Sequence, residues 1–294
     1  MSPIRSQLSL NLSAGAASVS VALVLVVVKL WALSATDALS IAASLADSAM
    51  DLIVSLGGLW AMIYAARPPD EDHAFGHSSA EDLAALGQAV FISVSGLVIA
   101  AAAARRLMSD APPPLAAQGE GIAVMLLSVV LTVALVLWQR RVSARTGNRV
   151  VAADSLHYLG DLVPNIGAIL ALWASAQFGL SQVDSVVALA AGVGMVVGAL
   201  RIGGGAWDAL MDRAADPALV AGIAELTRTW PGVAGFHDLK TRTAGSRVFV
   251  HLHIELDGDL TLRRAHEIGA GLKQTILLAY PQCDVIIHKD VARD

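Results

Sequence analysis

The chain has 294 residues, of which 55% are hydrophobic and only 15% are charged. Soluble domains carry about 25% charged residues, so this composition excludes an ordinary soluble protein. The formal net charge of −5 does not indicate a basic nucleic-acid-binding protein. The single cysteine, Cys283, excludes a disulfide framework and a cysteine-based zinc motif.

Six apolar segments predict membrane-spanning helices, since each is near the ~20 residues that cross a ~30 Å hydrocarbon core. In chain order they are residues 11–33, 38–66, 82–105, 119–139, 150–177 and 183–207. The first is too long for a secretory signal and lacks a small-residue cleavage site, so we expect it to be retained. Arginines at 140–149 favour a cytoplasmic loop there, although Arg105 and Arg106 argue the other way. Six spans then place both termini in the cytoplasm.

The composition changes after the sixth span, and residues 212–294 predict a soluble domain that follows a transmembrane domain at 1–211. Residues 247–256 alternate apolar and polar side chains, which is typical of a half-buried strand. The predicted elements are a helix at 217–230, strands at 234–243 and 247–256, a helix at 261–280 and a strand at 284–289. The order αββαβ indicates a sheet with helices on one face.

Two four-residue spacings place ligand-type side chains inside predicted spans. Asp47 and Asp51 lie in the second span, and His157 and Asp161 lie in the fifth. Residues i and i+4 share one helix face, and a carboxylate near the bilayer centre costs roughly 2.5–3.5 kcal/mol. Three carboxylates and one imidazole suit a four-coordinate divalent ion such as Zn²⁺. Hydrogen bonds across the helix bundle, or a metal-free proton relay, are the alternatives.

The loop after the second span holds another candidate site. His73 and His77 are four residues apart and follow the acidic run at 70–72. Imidazole and carboxylate groups are common zinc ligands. An acidic, solvated loop explains the same pattern equally well.

The tail is rich in histidine. It holds five of the eight histidines, at His237, His251, His253, His266 and His288. Their density in a small domain, with Asp290 two positions after His288, favours metal binding. Spacing alone leaves open which of these side chains converge.

Together these motifs resemble the cation diffusion facilitator family, and within it the YiiP-like branch of bacterial zinc and ferrous-iron exporters. The resemblance covers nearly the whole chain, as six spans followed by an αββαβ tail like a metallochaperone. It is carried by the two intramembrane pairs and by motifs at 70–77, 80–86, 230–233, 237–242 and 284–290.

The resemblance implies three metal sites. The transport site in the membrane would consist of Asp47, Asp51, His157 and Asp161. The loop site would consist of Asp70, His73 and His77. A binuclear cytoplasmic site that helps to hold a homodimer would consist of His237, His253, His266, His288 and Asp290.

Two positions depart from the family pattern. His251 falls outside the family's set of ligands. The family also has a salt link between a lysine after the loop histidine and an aspartate beyond the sixth span. Asp212 matches the aspartate, but Ser79 occupies the lysine position, so the link lacks its cation here.

We therefore predict a polytopic α-helical membrane protein that exports a divalent transition metal from the cytoplasm in exchange for protons. Metal ligands must lose protons to bind, so ion and protons compete for the same groups. The site admits Zn²⁺, Fe²⁺, Cd²⁺, Co²⁺ or Mn²⁺, and the resemblance favours zinc or iron. We expect a homodimer in the bacterial cytoplasmic (inner) membrane, with lipid and protons as partners, no nucleic acid and no enzymatic activity.

Two other classes of protein fit parts of the pattern. A non-transporting membrane metal sensor or scaffold would keep the tail site without needing the intramembrane pairs. A proton-conducting protein would use the same buried acids without metal. A hydrolase is disfavoured, because no nucleophile–base set accompanies the metal ligands.

Overall fold

The computed structural model describes residues 3–36, 39–108, 119–162 and 183–292. The chain divides into two compact units. One unit is Leu8–Ala206, and the other runs from Trp207 onward together with the N-terminal residues up to Gln7. Apolar helices build the first unit, whereas a small sheet covered by helices builds the second.

Long helices make up the first unit, as the run of apolar segments predicts. They are α1 (Pro3–Thr36), α2 (Leu39–Ala65), α3 (Ser79–Leu107), α4 (Gly119–Thr146), α5 (149–162, where the described stretch ends) and α6 (Val183–Leu210). Five described helices are long and apolar enough to cross a membrane. The predicted fifth span, 150–177, lies largely outside the described residues, so the count of six spans stays a prediction.

Glycines allow the helices of this unit to approach closely. A Cβ atom on Gly96 of α3 would lie 2.8 Å from the carbonyl oxygen of Gly192 on α6, and the reverse distance would be 2.6 Å. On α5, a Cβ atom on Gly160 would lie 2.3 Å from the Met195 side chain of α6. Small residues at helix contacts are typical of membrane bundles. The contact of Gly160 with Met195 packs α5 against α6 next to Asp161.

Buried polar contacts join the start of α3 to the turn between α4 and α5. The Asn148 side chain donates to Glu81 at 3.0 Å, and its oxygen accepts from the Val151 backbone N–H at 3.0 Å. Arg149 forms a salt bridge with Asp82, whose side chain is fully buried. The register of α5 relative to α3 is therefore fixed by polar contacts as well as by packing.

The second unit confirms the predicted αββαβ order. Its elements are α7 (Pro217–Arg228), β1 (Gly235–Ala244), β2 (Arg247–Leu256), α8 (Leu262–Ala279) and β3 (Cys283–Val291). Strand β2 lies in the centre, antiparallel to β1 and parallel to β3. A parallel pair needs a crossover connection, and α8 supplies it. Asp216 and Thr261 cap the starts of α7 and α8 with their side-chain oxygens.

One face of the sheet is covered by α7 and α8. The predicted alternation in β2 is confirmed, because its core-facing side chains are all buried: Val248, Val250, Leu252, Ile254 and Leu256. Against them pack Ile223 of α7 and three residues of α8, namely Ile268, Leu272 and Ile276. The opposite face of the sheet carries the histidines and other polar residues of the same strands, together with Phe249, which packs beneath Arg242.

Candidate metal centres

Three of the four residues predicted for the transport site come together between α2 and α5. Asp51 lies midway along α2, and His157 and Asp161 lie one turn apart on α5. One ligand atom from each of the three lies within 4.8 Å of the others. The side chain of Asp47, one turn before Asp51, lies outside the described residues.

A single imidazole nitrogen faces both carboxylates of this intramembrane cluster. His157 Nε2 lies 3.0 Å from Asp51 Oδ1 and 3.8 Å from Asp161 Oδ2. The ring is 6% exposed and packs edge-on against Phe91 of α3, with ring centroids 5.6 Å apart. Its Nδ1 atom is buried and has no hydrogen-bond partner within the described part of the chain. Nε2 is therefore the nitrogen that would bind an ion, leaving the ring proton on Nδ1.

The loop between α2 and α3 brings Asp70, His73 and His77 together. Asp70 Oδ1 accepts a hydrogen bond from the His73 backbone N–H at 2.7 Å, and Asp70 Oδ2 lies 3.2 Å from His77 Nε2. The bond from the His73 backbone holds the pKa of the Asp70 carboxyl below its usual value. Gly76, with a φ of +85°, turns the chain so that His77 follows directly.

Burial differs among the three loop residues. The His77 side chain is 2% exposed and packs edge-on against Tyr64, whereas Asp70 and His73 are about half exposed. The two imidazole rings have centroids 4.4 Å apart. One histidine is thus held by the helices while its two partners remain open to solvent.

In the tail, the sheet register lines up three histidines across neighbouring strands. His237 of β1 pairs with His253 of β2, and His253 pairs with His288 of β3. The ring centroids are 5.1 Å and 4.7 Å apart along this row. A β-bulge follows His237, where Asp238 has a φ of +50°. Residues paired directly across a sheet are close neighbours, so this register explains the convergence.

Asp290 joins the histidine row from the end of β3. Its Oδ2 atom lies 2.9 Å from His253 Nδ1 and 3.2 Å from His237 Nε2, and its Oδ1 atom lies 3.2 Å from His288 Nε2. The hydrogen bond with His253, together with the charges of the histidines, lowers the pKa of the Asp290 carboxyl. One carboxylate thus bridges three imidazoles on the face of the sheet that α7 and α8 leave open.

The other acidic residues and histidines of the tail lie either close to the histidine row or away from it. Asp238 forms a compact group with His237 and His253, and Glu255 lies 3.8 Å from His237. The sequence did not single out either residue, although Glu255 shares the strand face of His253. His266 is exposed on α8 and, among the described residues, belongs to none of these clusters. His251 pairs with Lys240 and Ile286 instead of with another histidine.

Asp212 has a partner within the tail. Its Oδ1 atom accepts a hydrogen bond from Arg242 Nη1 at 3.2 Å, and its backbone has a φ of +57°. The carboxylate that matches the family's salt link is therefore engaged by an arginine of β1.

The sequence is similar to known families and proteins. A family model described as the cation efflux transmembrane domain matches residues 16–211, and one described as the cytoplasmic domain of cation efflux proteins matches residues 215–291. The chain is 41% identical over 264 residues to the cation-efflux pump FieF of Cronobacter sakazakii, covering 90% of this chain and 87% of the relative. It is 40% identical to FieF of Klebsiella pneumoniae over the same shares.

Solved structures of MamM C-terminal domains are similar to part of this chain. The nickel form of a variant MamM C-terminal domain aligns with 26% of this chain and 100% of its own length. The sequence identity is 22% and the TM-score is 0.26.

Proposed function

The chain belongs to the cation diffusion facilitator family, in its YiiP-like branch, and from this premise we propose that it exchanges cytoplasmic divalent metal for protons through its intramembrane cluster. As a member of this family, the chain is a multi-pass metal efflux transporter and not an enzyme. We assign it to the bacterial inner membrane with both termini in the cytoplasm, and with a boundary between its transport and cytoplasmic domains near residue 211.

One observation carries the proposed exchange. Asp51, on a helix long and apolar enough to cross a membrane, approaches His157 and Asp161 of α5. Carboxylates at membrane depth are costly without a partner, and a divalent ion is the partner that suits two carboxylates and an imidazole. We include Asp47 as the fourth ligand, because it precedes Asp51 by one helical turn.

Protonation of the ligands would release the metal ion. A metal ion binds to imidazole and carboxylate groups only after they lose protons, and imidazole ordinarily titrates near neutral pH. When the cluster is open to the cytoplasm, the ion displaces protons from it. When it is open to the other side, protons on His157 and the carboxylates weaken the ligands and release the ion. The metal gradient is thus coupled to the proton gradient by direct competition.

The proposed ions are Zn²⁺ and Fe²⁺, with Cd²⁺, Co²⁺ and Mn²⁺ as further candidates. The relatives are cation-efflux pumps by name, and a mixed oxygen–nitrogen ligand set accepts any of these ions. Selectivity in such sites is decided by geometry and metal availability more than by affinity.

The loop and tail clusters receive separate roles in this proposal. Asp70, His73 and His77 would bind an ion at the surface, since two of the three are open to solvent. The tail row with Asp290 would bind metal and favour the homodimer, for which the match to a dimerisation domain is the support. His266 is assigned to the same tail site because the resemblance implies it.

A reconstituted flux assay tests the transport site. The full chain is placed in liposomes with an imposed pH gradient, and uptake of zinc and of ferrous iron is recorded for the unaltered protein, for Asp51→Ala and for His157→Ala. We expect both variants to reduce flux to the background of empty liposomes. His251→Ala is the matched control, because it removes a histidine that lies outside the clusters.

The same assay separates the alternatives. Undiminished flux in His157→Ala would contradict the assignment of the site. Metal binding without flux in the unaltered protein would instead favour a sensor or scaffold. Proton flux that zinc does not change would favour a metal-independent proton-conducting protein.

A further inference from the structure

A second buried carboxyl group lies one turn before His157 on α5. Asp154 is 6% exposed, and its Oδ2 atom accepts a hydrogen bond from Gln139 Nε2 of α4 at 2.6 Å. On the other side, the Ser55 hydroxyl of α2 donates to Asp154 Oδ1 at 3.5 Å. Ser55 itself lies one turn after Asp51. The carboxyl group is thus held by neutral side chains directly beside the intramembrane cluster.

The charged surroundings of Asp154 are acidic apart from one imidazole. Among the described residues, no lysine or arginine lies within salt-bridge distance of it. The titratable groups that face it are Asp51 from α2, and His157 and Tyr158 from α5, while α1 and α4 contribute the neutral Ser18 and Gln139. An ionised carboxylate in an apolar interior without a cation is strongly disfavoured. In the metal-free state, burial and the nearby Asp51 therefore favour the protonated carboxyl group, and they act against the opposing charge of a protonated His157.

Hydroxyl groups connect Asp154 to its surroundings. Ser55 Oγ lies 3.0 Å from Tyr158 Oη and 2.8 Å from Ser18 Oγ, and either atom of each pair can donate. A hydroxyl both donates and accepts, so the chain of contacts can pass a proton. Asp154, Ser55 and Gln139 also line a crevice between α1, α2, α4 and α5. Side-chain hydroxyls therefore lie next to Asp154 on this side and can carry its proton.

We propose that Asp154 binds one of the protons exchanged for metal, as a proton site separate from the metal ligands. This inference rests on the proposed proton exchange. When a divalent ion occupies the cluster one turn away, its charge favours the ionised form of Asp154. The O–H bond breaks, Ser55 is the first acceptor, and the proton is released to the solution that the cluster faces. When the ion departs, the carboxylate regains a proton from solution and is neutral again. The loss of this proton offsets one of the two positive charges that the ion brings. The net charge of the region therefore differs less between the ion-bound and ion-free states.

The number of protons exchanged for each ion tests this inference. The full chain is reconstituted with zinc as the probe, and the membrane voltage is held at zero with potassium and valinomycin. The zinc gradient at which net flux ceases is then measured at several imposed pH gradients. Removing one exchanged proton should lower the balancing zinc gradient by about tenfold for each pH unit imposed.

Asp154→Asn is the decisive variant, because it keeps the shape and hydrogen-bonding capacity of the side chain and removes the titrating group. We expect the tenfold lower zinc gradient in Asp154→Asn, and in Asp154→Ser should the first variant not fold. Asp154→Glu should restore the gradient of the unaltered protein. Ser55→Ala is the matched control: it should slow the flux and leave the balancing gradient unchanged, since a relay affects rate and not stoichiometry.

The possible outcomes distinguish failure of the Asp154 inference from failure of the proposed exchange. An unchanged balancing gradient in Asp154→Asn would overturn the inference while leaving the proposed exchange intact. Loss of a bound zinc equivalent from Asp154→Asn, with an unchanged proton count, would also overturn it. If the unaltered protein shows a zinc gradient independent of pH, the proposed exchange itself fails.

Discussion

The intramembrane and tail histidine clusters place similar ligands in opposite environments. His157 is 6% exposed, whereas the side chains of His237, His253 and His288 in the tail are 46%, 35% and 61% exposed. Buried polar and charged groups lose hydration and need a bound partner, whereas exposed groups keep theirs. We therefore expect the membrane cluster to decide whether transport occurs, and the tail cluster to decide how tightly the tail holds metal.

The largest expected difference between the two clusters follows from removing one aspartate from each of them. Asp51→Ala should abolish zinc flux, because it removes the carboxylate 3.0 Å from His157 Nε2. Asp290→Ala should leave measurable flux while removing the carboxylate that contacts all three tail histidines. Flux and zinc stoichiometry are measured on the same liposome preparations. Equal loss of flux in both variants would remove the distinction between the clusters.

The next effect concerns stability. Arg149→Ala removes the guanidinium from the fully buried Asp82. Breaking a buried pair costs about 3–5 kcal/mol, and the 32% exposure of the Arg149 side chain places the expected cost below that range. The tail offers a matched control, because Arg264→Ala breaks an exposed pair with Glu267, and exposed pairs contribute only ~0–1 kcal/mol. Thermal unfolding of the full chain in detergent should show a lower midpoint for Arg149→Ala alone. Equal midpoints would mean that the Asp82 contact is not needed for the folded bundle.

A smaller effect is expected within the tail row. His253→Ala should weaken zinc binding to the tail by more than the ~10–100-fold that loss of an outer-shell partner costs, because His253 is the central member of the row. His251→Ala, two residues away on the same strand, should bind zinc as the unaltered protein does. Titration of the full chain with zinc, in a background that carries both Asp51→Ala and His77→Ala, removes the other two proposed sites and isolates this binding. Equal affinities in the two variants would contradict the row as the binding site.

The smallest effect tests whether the tail core depends on metal. Cys283 is buried at the start of β3, and burial raises the pKa of its thiol to about 11. Because the thiolate is the reactive form, alkylation at neutral pH should be slow in the folded chain and fast after denaturation. Chelation of metal should leave the slow rate unchanged, since the apolar core forms on the other face of the sheet. Faster alkylation after chelation would show that metal also holds the core together.

Helix-level features were predictable because they depend on local patterns. Apolar length predicted the five described helices that are long enough to cross a membrane. Four-residue spacing predicted that His157 and Asp161 share a face, and their side chains lie 3.8 Å apart. Alternation in β2 likewise predicted its buried side chains. The tail ligands were not predictable in this way, since which histidines meet depends on pairing between strands far apart in the chain.

The sequence by itself determined the two kinds of region, the order of the elements, and which residues have side chains suited to binding metal. It could do so because periodicity and composition act over a few neighbouring residues. Tertiary structure decided the rest. Only strand register could align His237, His253 and His288, and only helix packing could bring Asp51 to His157 or surround Asp154 with Ser55 and Gln139. These contacts join residues from separate elements, and their distances follow from how those elements pack, which no local spacing encodes.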